Sequence, residues 1–133
     1  MSPLQPQQFE KNQAWVAFRL NDLPIETEAD GNFNVIGLLD AATLFLLGAE
    51  FISTAAREAT EAEAQRLLGS GCSKSGKLPD FLYIPANEEA NNLVSVAEAQ
   101  GVAVIRSVES ELMAFIGEAR SSFRERFSGG GVQ

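Results

Sequence analysis

FNVIGLLDAATLFLLGAEFI, residues 33 to 52, decides how the rest of the chain can fold. Phe33, Val35, Gly37 and Leu39 fall on one face of an extended strand, and Ile36 and Leu38 fall on the other. Both faces are therefore apolar and both need cover. The return arm, Thr43 to Ile52, has the same character. Between the arms, Asp40-Ala41-Ala42-Thr43 suits a tight turn, because an aspartate at its first position can accept hydrogen bonds from the backbone just ahead. A buried hairpin of this kind requires helices on its faces.

Working outward toward the start, Trp15 to Leu20 (WVAFRL) reads as a first strand, ended by the turn former Asn21-Asp22-Leu23-Pro24. Ile25 to Asn32 is polar and closes on Asp30-Gly31, so it is either a strand extension or a loop. Residues 1 to 12 carry two prolines and four glutamines without periodicity and read as a flexible arm.

On the other side of the hairpin, Thr60-x-x-Glu63 has the spacing of a capping box, which predicts a helix ending by Gly69 with Ala64, Leu67 and Leu68 inward. GSGCSKSGK, residues 69 to 77, reads as a flexible surface loop. Asp80 to Pro85 is a fourth strand, Asn87 a candidate N-cap, and Leu93, Val96 and Ala97 the inner face of a helix that stops at Gly101. Val102 to Arg106 is a fifth strand, so the strand-helix-strand unit implies a parallel pair with a right-handed crossover. Ser107 or Ser110 can cap a last helix whose Leu112, Phe115, Ile116, Ala119, Phe123 and Phe127 recur at helical spacing. The expected division is a flexible arm over 1 to 12, a single domain over 13 to 127 and a disordered tail over 128 to 133.

Composition narrows the function. A net charge of −8 works against a phosphate-binding surface and disfavours nucleic acid as a partner. No apolar run approaches the roughly 20 residues of a membrane-spanning helix, and the first residues lack a signal peptide's apolar segment, so a cytoplasmic protein with no membrane partner is expected. The chain has no histidine and one cysteine, Cys72, which removes imidazole-dependent triads, ordinary zinc sites and an internal disulfide. Residues 71 to 77 match the opening of a phosphate-binding loop, but such a loop must leave a strand and enter a helix, whereas this one leaves a helix and runs into Leu78-Pro79. No cofactor is implied.

A three-strand meander followed by helix, strand, helix, strand and helix is the order of the ribonuclease H-like fold. WVAFRL, NVIGLLDAATLFLLGAEFIS and LPDFLYIPANEEA resemble, in pattern and spacing, the catalytic core of retroviral-type integrases and insertion-sequence transposases. The resemblance, over roughly residues 14 to 127, implies an α/β fold with a five-stranded mixed sheet in the order 3-2-1-4-5 and helices on both faces. It also implies carboxylates on strand one, at the end of strand four and on a late helix, holding two divalent metals for phosphodiester chemistry. Here Ala17 and Phe18 stand where the first aspartate belongs, and Pro85-Ala86-Asn87 where the second belongs. Only Glu109 or Glu111 could stand for the third. Asp40 lies in a turn at the opposite end of the sheet from the end of strand four.

Two readings follow. In the first, the chain is an inactive integrase-like module with no catalytic residues and no metal, acting through a protein partner or self-association. In the second, it is a divalent-metal-dependent nuclease or phosphotransfer enzyme that uses Asp22, Glu26, Glu28, Glu88 and Glu111 as substitute carboxylates.

Overall fold

A computed structural model describes residues 3–21, 24–28 and 31–131, without the side chains of residues 27 and 126–131. The chain forms β1 (Ala14–Arg19), β2 (Ile25–Thr27), β3 (Gly31–Asp40), β4 (Leu46–Ser53), α1 (Glu61–Ser75), β5 (Phe81–Pro85), α2 (Asn91–Ala99), β6 (Ala103–Ser107) and α3 (Met113–Gly131). The hairpin turns as its sequence predicts. Asp40 is buried, and its Oδ2 accepts from the amides of Ala42 and Thr43 and from the Thr43 hydroxyl, while Oδ1 accepts from the amide of Asn12 at 2.6 Å. Four donors on one carboxylate fix the turn from both ends, and Leu44 completes it in the left-handed region at φ 62°.

The sheet differs from the expected one. Among the described residues it has six strands, not five, and in place of the order 3-2-1-4-5 it runs β2-β3-β1-β5-β6, with β4 also pairing β3. The physical reason is the polar stretch left open between strand and loop: Ile25, Glu26 and Thr27 pair antiparallel with Phe33, Asn32 and Gly31. β1 and β2 therefore share one edge of β3, and β4 holds the other, pairing from Phe33 to Leu39. β1 with β5, and β5 with β6, are parallel.

Alternation along β1 feeds two cores. Trp15 and Ala17 join Leu38, Leu67, Leu68, Leu93 and Val96 under α1 and α2, and Val16 and Phe18 join Val35, Leu39, Phe115 and Ile116 under α3. Helices thus cover both faces. The capping box forms as read: Thr60 Oγ1 accepts from the Glu63 amide at 3.1 Å, and Glu63 Oε1 from the Thr60 amide at 2.8 Å.

Three readings of local structure are corrected. The stretch from 69 to 77 is not a surface loop: α1 continues to Ser75 and closes on Gly76 at φ 88°. Gly71 makes this feasible, because it lies against Leu38 and the Trp15 ring, where an added Cβ would come within 2.8 Å of both. The first five residues of the phosphate-loop lookalike, 71 to 75, are therefore helix. Asn87 does not cap α2; Glu58 does, accepting from the Asn92 amide at 2.6 Å and from the Asn91 side chain. Neither Ser107 nor Ser110 caps the last helix, which is entered through a 3-10 turn, Glu109–Leu112, behind Val108.

The N-terminal arm is docked over its described part. Leu4 donates its amide to the Glu111 carbonyl at 3.0 Å, and the Phe9 ring meets Tyr83 and Phe115 edge-on at 5.8 and 6.0 Å. Asn12 accepts from Trp15 Nε1 at 2.7 Å and donates to the Lys77 carbonyl at 3.0 Å. Removal of residues 1 to 10 is accordingly expected to lower stability by about 2–4 kcal/mol, chiefly through loss of the Phe9 contacts. Chemical denaturation of the full and trimmed chains measures it; equal midpoints would show that the arm contributes nothing. At the other end α3 runs to Gly131, so the expected tail is helical to that point, and Val132 and Gln133 lie outside the described residues.

Candidate functional site

Because β1 and β5 are parallel neighbours, their carboxyl ends lie side by side, and the crevice outside such ends is where open α/β sheets take ligands. A polar cavity of about 230 Å³ opens there, lined by Arg19, Asn21, Asn87, Glu88, Glu109 and Arg120. These six residues arrive from four parts of the fold. Arg19 ends β1; Asn21 lies between β1 and β2, where its Oδ1 accepts from the Val35 amide at 2.8 Å and its Nδ2 donates to Asn34. Asn87 and Glu88 follow β5, Glu109 opens the 3-10 turn after β6, and Arg120 reaches in from α3.

The two acids are held differently. Glu109 is fully engaged: Arg120 Nη1 donates to its Oε1, and Asn87 Nδ2 to its Oε2 at 3.1 Å. The bond from Arg120 holds its carboxyl below the usual range. Arg120 is fixed in turn, since its Nε donates to the Arg19 carbonyl at 2.9 Å and its guanidinium stands 6.0 Å from the Phe18 ring centre. For Glu88, burial pushes the carboxyl above its ordinary range, against the opposing pull of Arg19 and Arg120. Arg106 fixes the loop that carries Glu88, donating to the carbonyls of Pro85, Ala86 and Glu88. Arg19 Nε is buried without a hydrogen-bond partner.

Two guanidiniums and two carboxylates cancel formally. A divalent ion entering this cavity would have to displace Arg120 from the lone pairs of Glu109 and would meet two fixed positive charges. Breaking a partly buried, charge-assisted pair is unfavourable by several kcal/mol.

No protein-family profile matches the sequence, and no curated protein matches it. Among solved structures, a chain in the cryo-electron microscopy structure of the simian T-cell lymphotropic virus intasome in complex with the PP2A regulatory subunit B56 gamma is similar in fold. The TM-score is 0.56 at 12% sequence identity. The match covers 95% of this chain and 43% of that one, so the protein spans less than half the length of the chain it resembles. The likeness is one of fold: a mixed sheet flanked by helices.

Of the substitute carboxylates that are among the described residues, the structure brings only Glu88 to the cavity. Glu26 on β2 and Glu28 beyond it are exposed and line no part of it, and Asp22 lies outside the described residues. Between Glu109 and Glu111, it is Glu109 that lines the cavity; Glu111 instead accepts the Leu4 amide on its carbonyl. Among the described residues, no three Asp, Glu or Cys side chains gather as a metal site would require. The sequence reading placed Arg19 in a strand and Asn21 in a turn, and gave neither of them, nor Arg120, a place in a site. The available signal was position: Arg19 directly follows Ala17 and Phe18, where the resemblance expects an acid. Among the described residues, no helix is long and apolar enough to cross a membrane.

Proposed function

We propose that the chain is a catalytically inactive, ribonuclease H-like module of the integrase type, acting through a protein partner or through self-association. The observation that carries this reading is the Arg120–Glu109 pair, with Arg19 beside Glu88, in the crevice where the resemblance would have carboxylates hold two metal ions. Charge neutralisation that such a site would receive from divalent cations comes here from guanidiniums, which neither activate water nor release a bound product. The likeness to a chain in the intasome structure is consistent with an assembly role, since the same scaffold can serve contact as readily as chemistry.

The test is an incubation of the purified protein with labelled single- and double-stranded DNA and RNA, with magnesium or manganese present. The expected result is no cleavage and no strand joining. Metal-dependent cleavage that disappears in Glu88→Gln or Glu109→Gln would overturn the reading and place two-metal chemistry on the acids that remain.

A further inference from the structure

β4 is the open edge of the sheet. It pairs with β3 on one side, and among the described residues the one backbone bond to its other side is local, from the Ala56 amide to the Ser53 carbonyl at the end of the strand, at 3.0 Å. α1 packs on the other face of the strand, and its Ser70 hydroxyl donates to the Leu47 carbonyl at 3.0 Å. Edge strands are usually blunted by lysine, proline or shortness. LLGAEFIS has no lysine, arginine or proline over eight residues, and its one charge, Glu50, is paired with Arg66 at 3.1 Å. The opposite edge, β6, is five residues long and carries Arg106, so it is protected in the usual way.

The face beside this edge is uncovered as well. α3 shields β1 and the near half of β3, leaving a groove of about 380 Å³ between Leu46, Ala49 and Phe51 on one side and Phe115, Ala119 and Phe123 on the other. Leu46 and Phe51 are 43% and 56% exposed, and Phe45, just ahead of the strand, is 62% exposed. An open edge and an apolar face on the same strand need an occupant that supplies extended backbone and apolar side chains together.

We infer that this occupant is a second copy of the chain, joined through antiparallel pairing of β4 with β4 about a twofold axis. Two points on the strand favour self-pairing. With Ala49 opposite its own copy, Glu50 faces Gly48, so no like charges meet across the junction. A twofold junction also closes on itself, whereas pairing β4 to the β6 edge of another copy would run on into a filament. The inference rests on the reading of the protein as a module that acts by association, and it names the surface and the partner.

Sedimentation equilibrium of the full chain over a wide concentration range tests it. The expected result is a monomer–dimer equilibrium that tightens with added salt, because each copy carries a net charge of −8 and screening relieves their repulsion. Phe51→Lys and Ala49→Lys, made separately at exposed positions, should each weaken dimerisation roughly tenfold or more, with the circular dichroism of the monomer unchanged. A chain that stays monomeric at every concentration, or a dimer that neither variant weakens, overturns the inference. Neither outcome bears on strand cleavage, so failure here is distinguishable from failure of the inactive-site reading.

Discussion

Leu38→Asp is expected to leave the chain unfolded. Leu38 is fully buried on β3, opposite Ala17 of β1 and Gly48 of β4, so ladder pairs hold it from both edges. Its Cδ2 also lies against α1 at Gly71. A carboxylate there has no partner within the surrounding core of Trp15, Leu67, Leu68 and Leu82. An unpaired buried charge destabilises by about 4 kcal/mol or more, against a total stability of about 5–15 kcal/mol for a domain of ordinary size. Leu38→Met, which keeps volume and polarity, should lose less than about 1.5 kcal/mol. Thermal melting followed by circular dichroism measures both; a cooperative transition of Leu38→Asp near the parent midpoint would contradict the central position of β3.

Gly71→Val should be almost as damaging, for the opposite reason. The Leu38 change adds charge to a well-filled core, whereas the Gly71 change adds volume where none is free. A Cβ at residue 71 would lie 2.8 Å from Leu38 Cδ2 and from two atoms of the Trp15 ring, and valine adds two further methyl groups. Trp15 cannot withdraw without breaking the 2.7 Å bond from its Nε1 to Asn12. The helix must therefore lift from the sheet, opening the contacts of Leu67 and Leu68 as well. Overpacking of this kind is unfavourable by about 1–3 kcal/mol when side chains can shift, and more when, as here, the neighbour is fixed. Gly69→Ala, two residues away with no atom within 4 Å of an added Cβ, should instead stabilise by about 0.5–1 kcal/mol. Urea unfolding of the two variants should move in opposite directions; a Gly71→Val midpoint equal to the parent's would show that α1 does not approach the sheet so closely.

These two glycines show where the sequence was legible and where it was not. The hairpin, its Asp40 turn and the capping box at Thr60 follow from local chemistry, because donor and acceptor lie within three residues of each other. The C-terminal half of α1 does not. Gly69, Ser70, Gly71 and Ser73 are poor helix formers, and only the close approach at Gly71, a contact with residues more than thirty positions away, makes a helix of that stretch. The N-terminal arm was illegible for a related reason: Leu4 and Phe9 have no periodicity of their own and gain order from Glu111, Tyr83 and Phe115. β2 went unresolved because three residues with one apolar side chain among them, Ile25, leave no alternation to read where they pair with the start of β3.

The cavity was half legible. That the expected acids were absent at Ala17, Phe18 and Pro85 could be read directly. That arginines had entered the crevice could not, because Arg120 meets Arg19 across 101 residues of chain. Asn87, read as a helix cap, was drawn away by Glu109, and the cap passed to Glu58.

The most direct measurement of the central claim is manganese binding to the purified protein, followed by electron paramagnetic resonance of the free ion in parent, Arg120→Ala and Glu109→Gln chains. If guanidiniums hold the place of metal ions, the parent has no saturable site tighter than about 1 mM. Arg120→Ala, which frees the Glu109 carboxylate, should bind the ion more strongly than the parent. A parent site in the micromolar range that Glu109→Gln abolishes would contradict the account.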